Sequence, residues 1–245
     1  MKEIINDTFK AAVNDYFFLK NKNYAARPAL KLVGDHYRLT GQQRTMLYRG
    51  ITSSQTATLR QRKLITDPEE LKGKTLFLDG CNILFTLINY LTGKTIFLGN
   101  DGILRDTGSE SEPIGEPFID KAVERLIRFL ETSGGSSVII VLDRSLVNVS
   151  RYENALIKEY NRLKKENPLV LPITIQSVPS ADNRLKQCDQ TDHEYKDVRV
   201  IGTADSEIID AVAGRIIDAA RYILENEFNV KISDLKNLLK DKGDA

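Results

Sequence analysis

The chain has 245 residues, of which 41% are hydrophobic and 28% charged, a composition typical of a globular protein with one large domain or two smaller ones. No run approaches the roughly 20 apolar residues of a membrane span, and no apolar signal-peptide core opens the chain, so we expect no membrane partner. Two cysteines (Cys81, Cys188) and two histidines (His36, His193) form no zinc pattern. Free thiols without an export signal indicate a cytoplasmic protein.

The net charge of +1 conceals an uneven distribution along the chain. Residues 1–72 carry 13 lysines and arginines against 7 acids, whereas residues 73–245 carry 22 against 27. A basic module beside an acidic one suits a protein that acts on a polyanion, although a solvated helical face has the same charge pattern. The candidate nucleic-acid-binding residues are Lys31, Arg38, Arg44, Arg49, Arg60 and Arg62.

The first 65 residues are predicted to form short helices. Apolar residues repeat at helical spacing from Ile4 to Phe17, Pro28 suits the first turn of a second helix, and Thr40 is a cap for a third over Gln42–Arg49. A fourth helix is expected from Ser53 to about residue 64. The turn between the second and third helices resembles a helix-turn-helix, a pattern that many small bundles share. A polar linker places the boundary of this all-helical domain near residue 72, giving domains 1–72 and 73–245.

Strands and helices alternate from residue 74 onward, which predicts an α/β domain with a parallel sheet and helices on both faces. Strands are expected at Thr75–Leu78, Ser137–Leu142, Ile173–Gln176 and Val198–Ile201. Gly99–Gly102 predicts a hairpin turn between two short additional strands. Helices are expected at 80–91, 118–131, 151–165, 205–210, 213–226 and 233–240.

Three of the predicted strands lead into an aspartate: Asp79, Asp143 and Asp205. The carboxyl ends of parallel strands meet at one edge of a sheet, where ligands of open α/β sheets bind. Carboxylates gathered there repel one another unless a cation lies between them, and Mg²⁺ and Mn²⁺ prefer such oxygen ligands. The pattern therefore indicates a divalent metal site, with helix or loop capping by each aspartate as the alternative.

Further polar residues lie beside these strand ends. Asp182 begins a predicted helix after the third strand and is a candidate fourth ligand. Asn82 can orient Asp79 or contact a phosphate, or it can simply cap a helix. Thr203 and Ser206, at a strand-to-helix turn, are candidate phosphate-binding hydroxyls. Neither a dinucleotide fingerprint nor a Walker motif nor a Gly-x-Ser-x-Gly elbow is present, and Cys81 interrupts the Asp-x-Asp of a haloacid-dehalogenase phosphatase.

Taken together, these elements resemble the NYN-type nucleases of the PIN-like superfamily. Residues 77–84 (FLDGCNIL) resemble the Asp-Gly-x-Asn opening of that family, and residues 141–143 resemble its second acidic strand end. Residues 180–183 (SADN) resemble the Ala-Asp-Asp helix start, with Asn183 in place of the second acid. Residues 200–206 (VIGTADS) resemble the closing strand. The resemblance covers residues 74–212, with residues 94–117 as an insertion, and the whole arrangement is similar to a prokaryotic branch that carries a helical N-terminal domain.

The resemblance implies a PIN-like, Rossmann-like domain in which Asp79, Asp143, Asp182 and Asp205 hold one or two Mg²⁺ or Mn²⁺ ions, with Asn82 in support. It implies metal-dependent phosphodiester hydrolysis, with RNA as the substrate. Two alternatives remain open: a nucleic-acid-binding or regulatory module without hydrolysis, and a metal-dependent phosphatase. A homodimer is also left open.

Overall fold

The structure is a computed structural model that describes residues 4–108, 115–168, 170–190 and 198–240. The chain divides into two compact units. The first contains residues 1–62, 93–109 and 231–245, and the second contains residues 63–92 and 110–230. Within the described ranges, no helix has the length and apolar character needed to cross a membrane.

The second unit is an α/β domain built on a five-stranded parallel sheet in the order β5-β4-β1-β6-β7. Its strands are β1 (Thr75–Asp79), β4 (Ser137–Asp143), β5 (Ile173–Val178), β6 (Arg199–Gly202) and β7 (Arg215–Ile217). Its helices are α5 (Gly80–Leu91), α6 (Glu116–Thr132), α7 (Val149–Glu166), α8 (Ala181–Gln190), α9 (Ser206–Ala211) and α10 (Ala219–Asn226). The predicted fold class is confirmed.

Apolar side chains explain why these segments form the centre of the sheet. Phe77 of β1 is paired with Ile139 of β4 on one side and with Ile201 of β6 on the other. Strands covered by helices are buried on both faces and are therefore apolar along nearly their whole length. The register places the ends of β1, β4 and β6 at one edge of the sheet, where their aspartates follow.

Two predicted C-terminal helices are wrong in part. The segment expected to form one helix over residues 213–226 contains the edge strand β7 and then α10, which Asp218 caps by accepting a hydrogen bond from the Arg221 N–H (3.0 Å). Instead of a helix over residues 233–240, the chain forms the short strand β8 (Ser233–Asp234) and a 3₁₀ turn, Leu235–Leu238. Pairing with neighbouring strands, which local periodicity does not reveal, determines both segments.

The first unit contains four helices, the first three of which contribute to a small core. The helices are α1 (Asp7–Asn21), α2 (Ala26–His36), α3 (Gly41–Gly50) and α4 (Ser54–Lys63), the last of which ends at the unit boundary. The predicted Thr40 cap is confirmed as one half of a capping box with Gln43. The core is apolar and includes Phe9, Val13, Tyr16, Val33, Met46, Leu47, Phe97 and Leu235.

The predicted hairpin is confirmed, but it belongs to the first unit. Strands β2 (Ile96–Leu98) and β3 (Leu104–Asp106) pair through the expected turn, and β8 adds to β2 in parallel. Because Phe97 and Leu235 are buried in the helical core, residues 93–109 and 231–245 group with the helices rather than with the α/β domain. The boundary also moves from residue 72 to residue 62, since the Ile65 N–H donates to the Ile216 carbonyl (2.8 Å).

A buried polar network fixes the hairpin turn in the first unit. The Asp101 carboxylate, only 2% exposed, accepts hydrogen bonds from Arg60 (2.8 Å) and Arg105 (3.4 Å) and from the Ile103 N–H (3.1 Å). The Asn100 N–H donates to the Gly50 carbonyl (2.8 Å). Buried charges are tolerated when they are paired in this way, and removal of one partner is costly.

Candidate functional site

Asp79 lies at the junction of β1 and α5, and its carboxylate is 6% exposed. Its Oδ1 accepts a hydrogen bond from the Asn82 N–H (3.2 Å), so Asp79 caps α5. Gly80 permits this tight turn, because a Cβ there would lie 2.6 Å from Ile140 Cγ2 and 2.8 Å from Leu142 Cδ2. The close approach of the first turn of α5 to β4 thus depends on glycine.

Thr203 joins Asp79 to the end of β6. Its fully buried hydroxyl donates to Asp79 Oδ2 (3.1 Å) and accepts from the Asp205 N–H (3.0 Å). Asp205 in turn caps α9 by accepting from the N–H groups of Glu207 (2.7 Å) and Ile208 (3.1 Å). A single hydroxyl therefore sets the positions of two strand-end aspartates.

Asn82 forms a second link between the same two strand ends. Its side-chain oxygen accepts a hydrogen bond from the Ala204 N–H (2.9 Å). Asp79, not Asn82, is the helix cap, so the capping alternative for Asn82 is wrong. Within the described residues, the Asn82 Nδ2 group donates to no partner, which leaves two N–H donors for a ligand.

Asp143, at the end of β4, lies beside the start of α8. Its Oδ1 accepts from the Ser145 hydroxyl (2.6 Å) and N–H (2.8 Å), and its Oδ2 accepts from the Ala181 N–H (3.3 Å). Asp182 follows directly on α8, and its carboxylate makes no hydrogen bond to the residues that the structure describes. Asp182 is therefore the least constrained of the four predicted ligands.

Neighbouring negative charges contribute to raised pKa values at Asp79 and Asp182. The pKa of Asp79 is raised to about 7, mainly by burial and in smaller part by the charges of Asp205 and Asp182, while the hydrogen bonds from Asn82 and Thr203 oppose the rise. Burial also raises the pKa of Asp182, and the charges of Asp205, Glu207 and Asp143 add to the shift while Lys186 opposes it. Like charges that disfavour ionisation in this way are relieved by a cation.

Asp143 differs electrostatically from this group. Burial alone would raise its pKa, but the hydrogen bonds from the Ser145 hydroxyl and N–H and from the Ala181 N–H outweigh burial and lower the pKa below the ordinary aspartate value. Asp143 is therefore an ionised carboxylate at the rim of the cluster.

The donor chemistry at this edge fits Mg²⁺ or Mn²⁺, but the side chains are not drawn together around an ion. Over the described ranges, no three Asp, Glu, His or Cys side chains converge closely enough to hold a metal. Asp79, Asp143 and Asp205 each use one or both oxygens as caps. One carboxylate has about four lone-pair sites on its two oxygens, so each of these aspartates retains acceptor capacity for an ion.

The predicted phosphate-binding role of Thr203 is wrong, because its hydroxyl is 0% exposed and bonded on both sides. Ser206 lies at the first position of α9. The Asp205 side chain already accepts two N–H bonds of that first turn, so the short helix does not present them to a phosphate.

The six predicted nucleic-acid-binding residues differ in their exposure and in their ion pairs. The predicted nucleic-acid-binding role of Arg60 is wrong, because this residue is only 7% exposed and its guanidinium pairs with Asp101. Lys31 and Arg44 both pair with Asp35 (2.6 and 2.9 Å), and Arg49 pairs with Asp106 (3.3 Å). Arg38 and Arg62 are exposed and form no ion pair with a described residue.

Sequence reasoning missed two residues of this edge. Asp218 follows the apolar strand β7 as Asp79 follows β1, and it is also buried at a helix start, but β7 was hidden in a predicted helix. Ser145 holds Asp143 through an Asp-x-Ser turn, a local pattern that was available in the sequence.

We expect the metal-free protein to lose stability as the pH rises from 4.5 to 7.5, because folded Asp79 keeps its proton up to about pH 7 whereas unfolded aspartate loses it near pH 3.8. Asp79→Asn removes this dependence. The unfolding free energy of the variant relative to wild type should therefore grow by on the order of 3 kcal/mol across that range. Urea unfolding at several pH values in EDTA measures the difference.

Asp143→Asn is the matched control. The pKa of Asp143 is lowered, so its titration falls below pH 3.8, and its difference from wild type should stay constant over the same window. Parallel curves for wild type and Asp79→Asn would contradict the raised pKa of Asp79.

Two family models match the chain. The model described as a domain of unknown function, DUF5616, matches residues 68–222, and the model described as a protein of unknown function, DUF434, matches residues 8–63. An uncharacterized protein of Methanocaldococcus jannaschii, MJ0935, is 28% identical over 223 residues, covering 88% of this chain and 98% of the relative. No solved structure matches. The two matched ranges meet next to the boundary between the units.

Proposed function

We propose that this protein, which belongs to the DUF5616 family over residues 68–222, is a metal-dependent nuclease that hydrolyses phosphodiester bonds in RNA. One observation carries the proposal: Asp79, Asp182 and Asp205 all lie at the carboxyl edge of a parallel sheet, near enough that the charges of Asp205 and Asp182 add to the burial that raises the pKa of Asp79. The repulsion between these carboxylates lowers the stability of the metal-free protein. A bound cation would offset that cost. RNA as the substrate rests on the resemblance to NYN-type nucleases.

The polar side chains at this edge of the sheet would have different roles in binding the cation and the phosphate. Asp79, Asp182, Asp205 and Asp143 would hold the cation. A bound Mg²⁺ or Mn²⁺ would supply a Lewis acid for the phosphodiester oxygens. Thr203 and the Asn82 N–H keep the Asp79 carboxylate in one orientation, and the Asn82 Nδ2 group has donors for a non-bridging phosphate oxygen.

A nucleic-acid-binding or regulatory module without hydrolysis is the second candidate. It is favoured by the absence of three converging ligands among the described residues and by the capping bonds of Asp79, Asp143 and Asp205. We also propose a cytoplasmic location, because the two buried cysteines, Cys81 and Cys188, form no disulfide.

The proposal is tested by Mn²⁺ titration calorimetry together with digestion of end-labelled single-stranded RNA. Wild type should cut RNA with Mn²⁺ or Mg²⁺ and stop in EDTA. Asp182→Asn should weaken Mn²⁺ binding at least about tenfold, because it removes a direct ligand. Loss of a group that only hydrogen-bonds to a metal ligand already lowers metal affinity about tenfold or more. Asp120→Asn, an exposed carboxylate on α6, is the matched control and should bind as wild type does.

Each other outcome selects a different function. Mn²⁺ binding without cleavage of any polynucleotide supports the second candidate. Turnover of a small phosphate ester that polynucleotides do not inhibit indicates a phosphatase. Failure of wild type to bind Mn²⁺ means that the aspartates are only caps, and the nuclease proposal is then wrong.

A further inference from the structure

Two aromatic rings are exposed where α1 turns into α2. Phe18 is 59% exposed and Tyr24 is 55% exposed, although their neighbours Phe17 and Leu19 pack against the core of the first unit. Single exposed apolar residues are ordinary. Two large exposed rings six residues apart, neither of them in the core, are an available contact surface.

The backbone holds these rings beside positive charge. The Lys22 ammonium lies 5.6 Å from the centroid of the Phe18 ring. The Tyr24 N–H donates to the Leu19 carbonyl (3.1 Å), after Asn23 turns the chain with φ of 61°, and this bond keeps Tyr24 next to the last turn of α1. Arg27 follows, exposed on the first turn of α2. We name Phe18, Lys22, Tyr24 and Arg27 the α1–α2 corner.

The segment of chain that forms this corner carries no acid. From residue 16 to residue 34 the chain carries four cations (Lys20, Lys22, Arg27, Lys31) and no acid. The described residues of the first unit contain 15 lysines and arginines against six acids. An anionic ligand therefore complements both the corner and the unit that bears it.

We infer that the α1–α2 corner binds single-stranded nucleic acid, with bases stacked on Phe18 and Tyr24 and phosphates beside Lys22 and Arg27. Exposed aromatic rings in a positive surface are how proteins hold single strands without sequence preference, because every base has a π-face. A duplex keeps its bases stacked on one another and offers the rings little. The inference deepens the proposed function, on which it rests for the choice of nucleic acid, by naming the strand state that the protein binds.

The test is fluorescence anisotropy of the full chain with labelled single-stranded oligouridylate in EDTA, where binding is separated from cleavage. Phe18→Ala/Tyr24→Ala should weaken binding about tenfold or more, since stacking contributes roughly 1–3 kcal/mol per base. Tyr48→Ala/Leu59→Ala, which removes exposed hydrophobic residues of α3 and α4, is the matched control and should change nothing. Phe18→Trp should bind at least as tightly as wild type.

Charge is tested separately. Lys22→Gln/Arg27→Gln should lower the slope of log affinity against log salt by about one to two, a change that a purely structural role would not produce. Unchanged affinity in the aromatic double variant, equal binding of the matching duplex, or preferential binding of vesicles of phosphatidylserine and phosphatidylcholine would overturn the inference.

The same variants separate this inference from the nuclease proposal. The corner variants should hydrolyse bis-p-nitrophenyl phosphate at the wild-type rate, since that small diester does not need the rings. RNA binding through the corner without hydrolysis of either substrate would defeat the nuclease proposal alone. Hydrolysis with undisturbed RNA binding by the corner variants would defeat the corner alone.

Discussion

Replacing Asp79 by asparagine is expected to lower the rate of RNA cleavage roughly a thousandfold. A metal ion supplies several kcal/mol of transition-state charge stabilisation, and each 1.36 kcal/mol is about tenfold in rate. Asn can still accept from the Asn82 N–H and bond Thr203, so the fold is retained while the charge that holds the ion is lost. Initial rates on labelled single-stranded RNA at saturating Mn²⁺, with the melting midpoint of each sample, measure the effect.

Asp218→Asn is the sharpest control for this experiment. Asp218 is also buried, also follows an apolar strand of the same sheet and also caps a helix, but it is not among the carboxylates that raise the pKa of Asp79. Its replacement should cost about 1 kcal/mol of stability through the weakened cap and leave the cleavage rate near wild type. Equal inactivation of both variants would mean that any strand-end aspartate maintains the sheet, and that Asp79 has no special role.

Replacing Arg60 by methionine is expected to destabilise the first unit by about 3–5 kcal/mol, because it removes the shorter of the two ion pairs of the buried Asp101 carboxylate and leaves only the longer one, to Arg105, beside the Ile103 N–H. Arg62→Met, two residues along the same helix but exposed, should stay within about 0.5 kcal/mol of wild type. Urea unfolding, with hydrogen exchange of residues 96–106 to assign the loss to the hairpin, measures the difference.

A second substitution tests the cause of that loss. Asp101→Asn, made alone and together with Arg60→Met, completes a double-mutant cycle in which the coupling energy of the two residues should be about 1 kcal/mol or more. A coupling energy near zero would indicate that the packing of the Arg60 stem, rather than the ion pair, stabilises the turn.

Strong local signals made most of the α/β fold predictable. β1, β4, β5 and β6 were evident because each is a short run with apolar residues, β-branched in β4, β5 and β6, bounded by turn residues. β7 was not, since its three residues merge with the apolar periodicity of α10. Gly99–Gly102 predicted a turn, but no local pattern says which core Phe97 enters. Membership of a unit depends on contacts between residues far apart in sequence.

The position of the candidate site was also predictable from local sequence patterns, whereas contacts between residues distant in sequence were not. Parallel strands bring their carboxyl ends to one edge, so Asp79, Asp143 and Asp205 could be grouped from their positions alone. Burial was not visible, and it decides the roles of Thr203 and Arg60: a hydroxyl and a guanidinium suited to phosphate are each enclosed and bonded to an aspartate. Pairing partners distant in sequence convert a binding side chain into a structural one.

The three-segment composition of the first unit has a consequence for the order in which the chain folds during synthesis. Leu235 emerges from the ribosome after every residue of the second unit, yet it is wholly buried in a core begun by Phe9. The helices of the first unit are synthesised first, and their core therefore remains incomplete until the α/β domain and the segment that follows it have been synthesised. A fragment that ends at residue 62, or at the end of the α/β domain, would never complete this core. Its exposed apolar residues would then be bound by chaperones or cleaved by proteases.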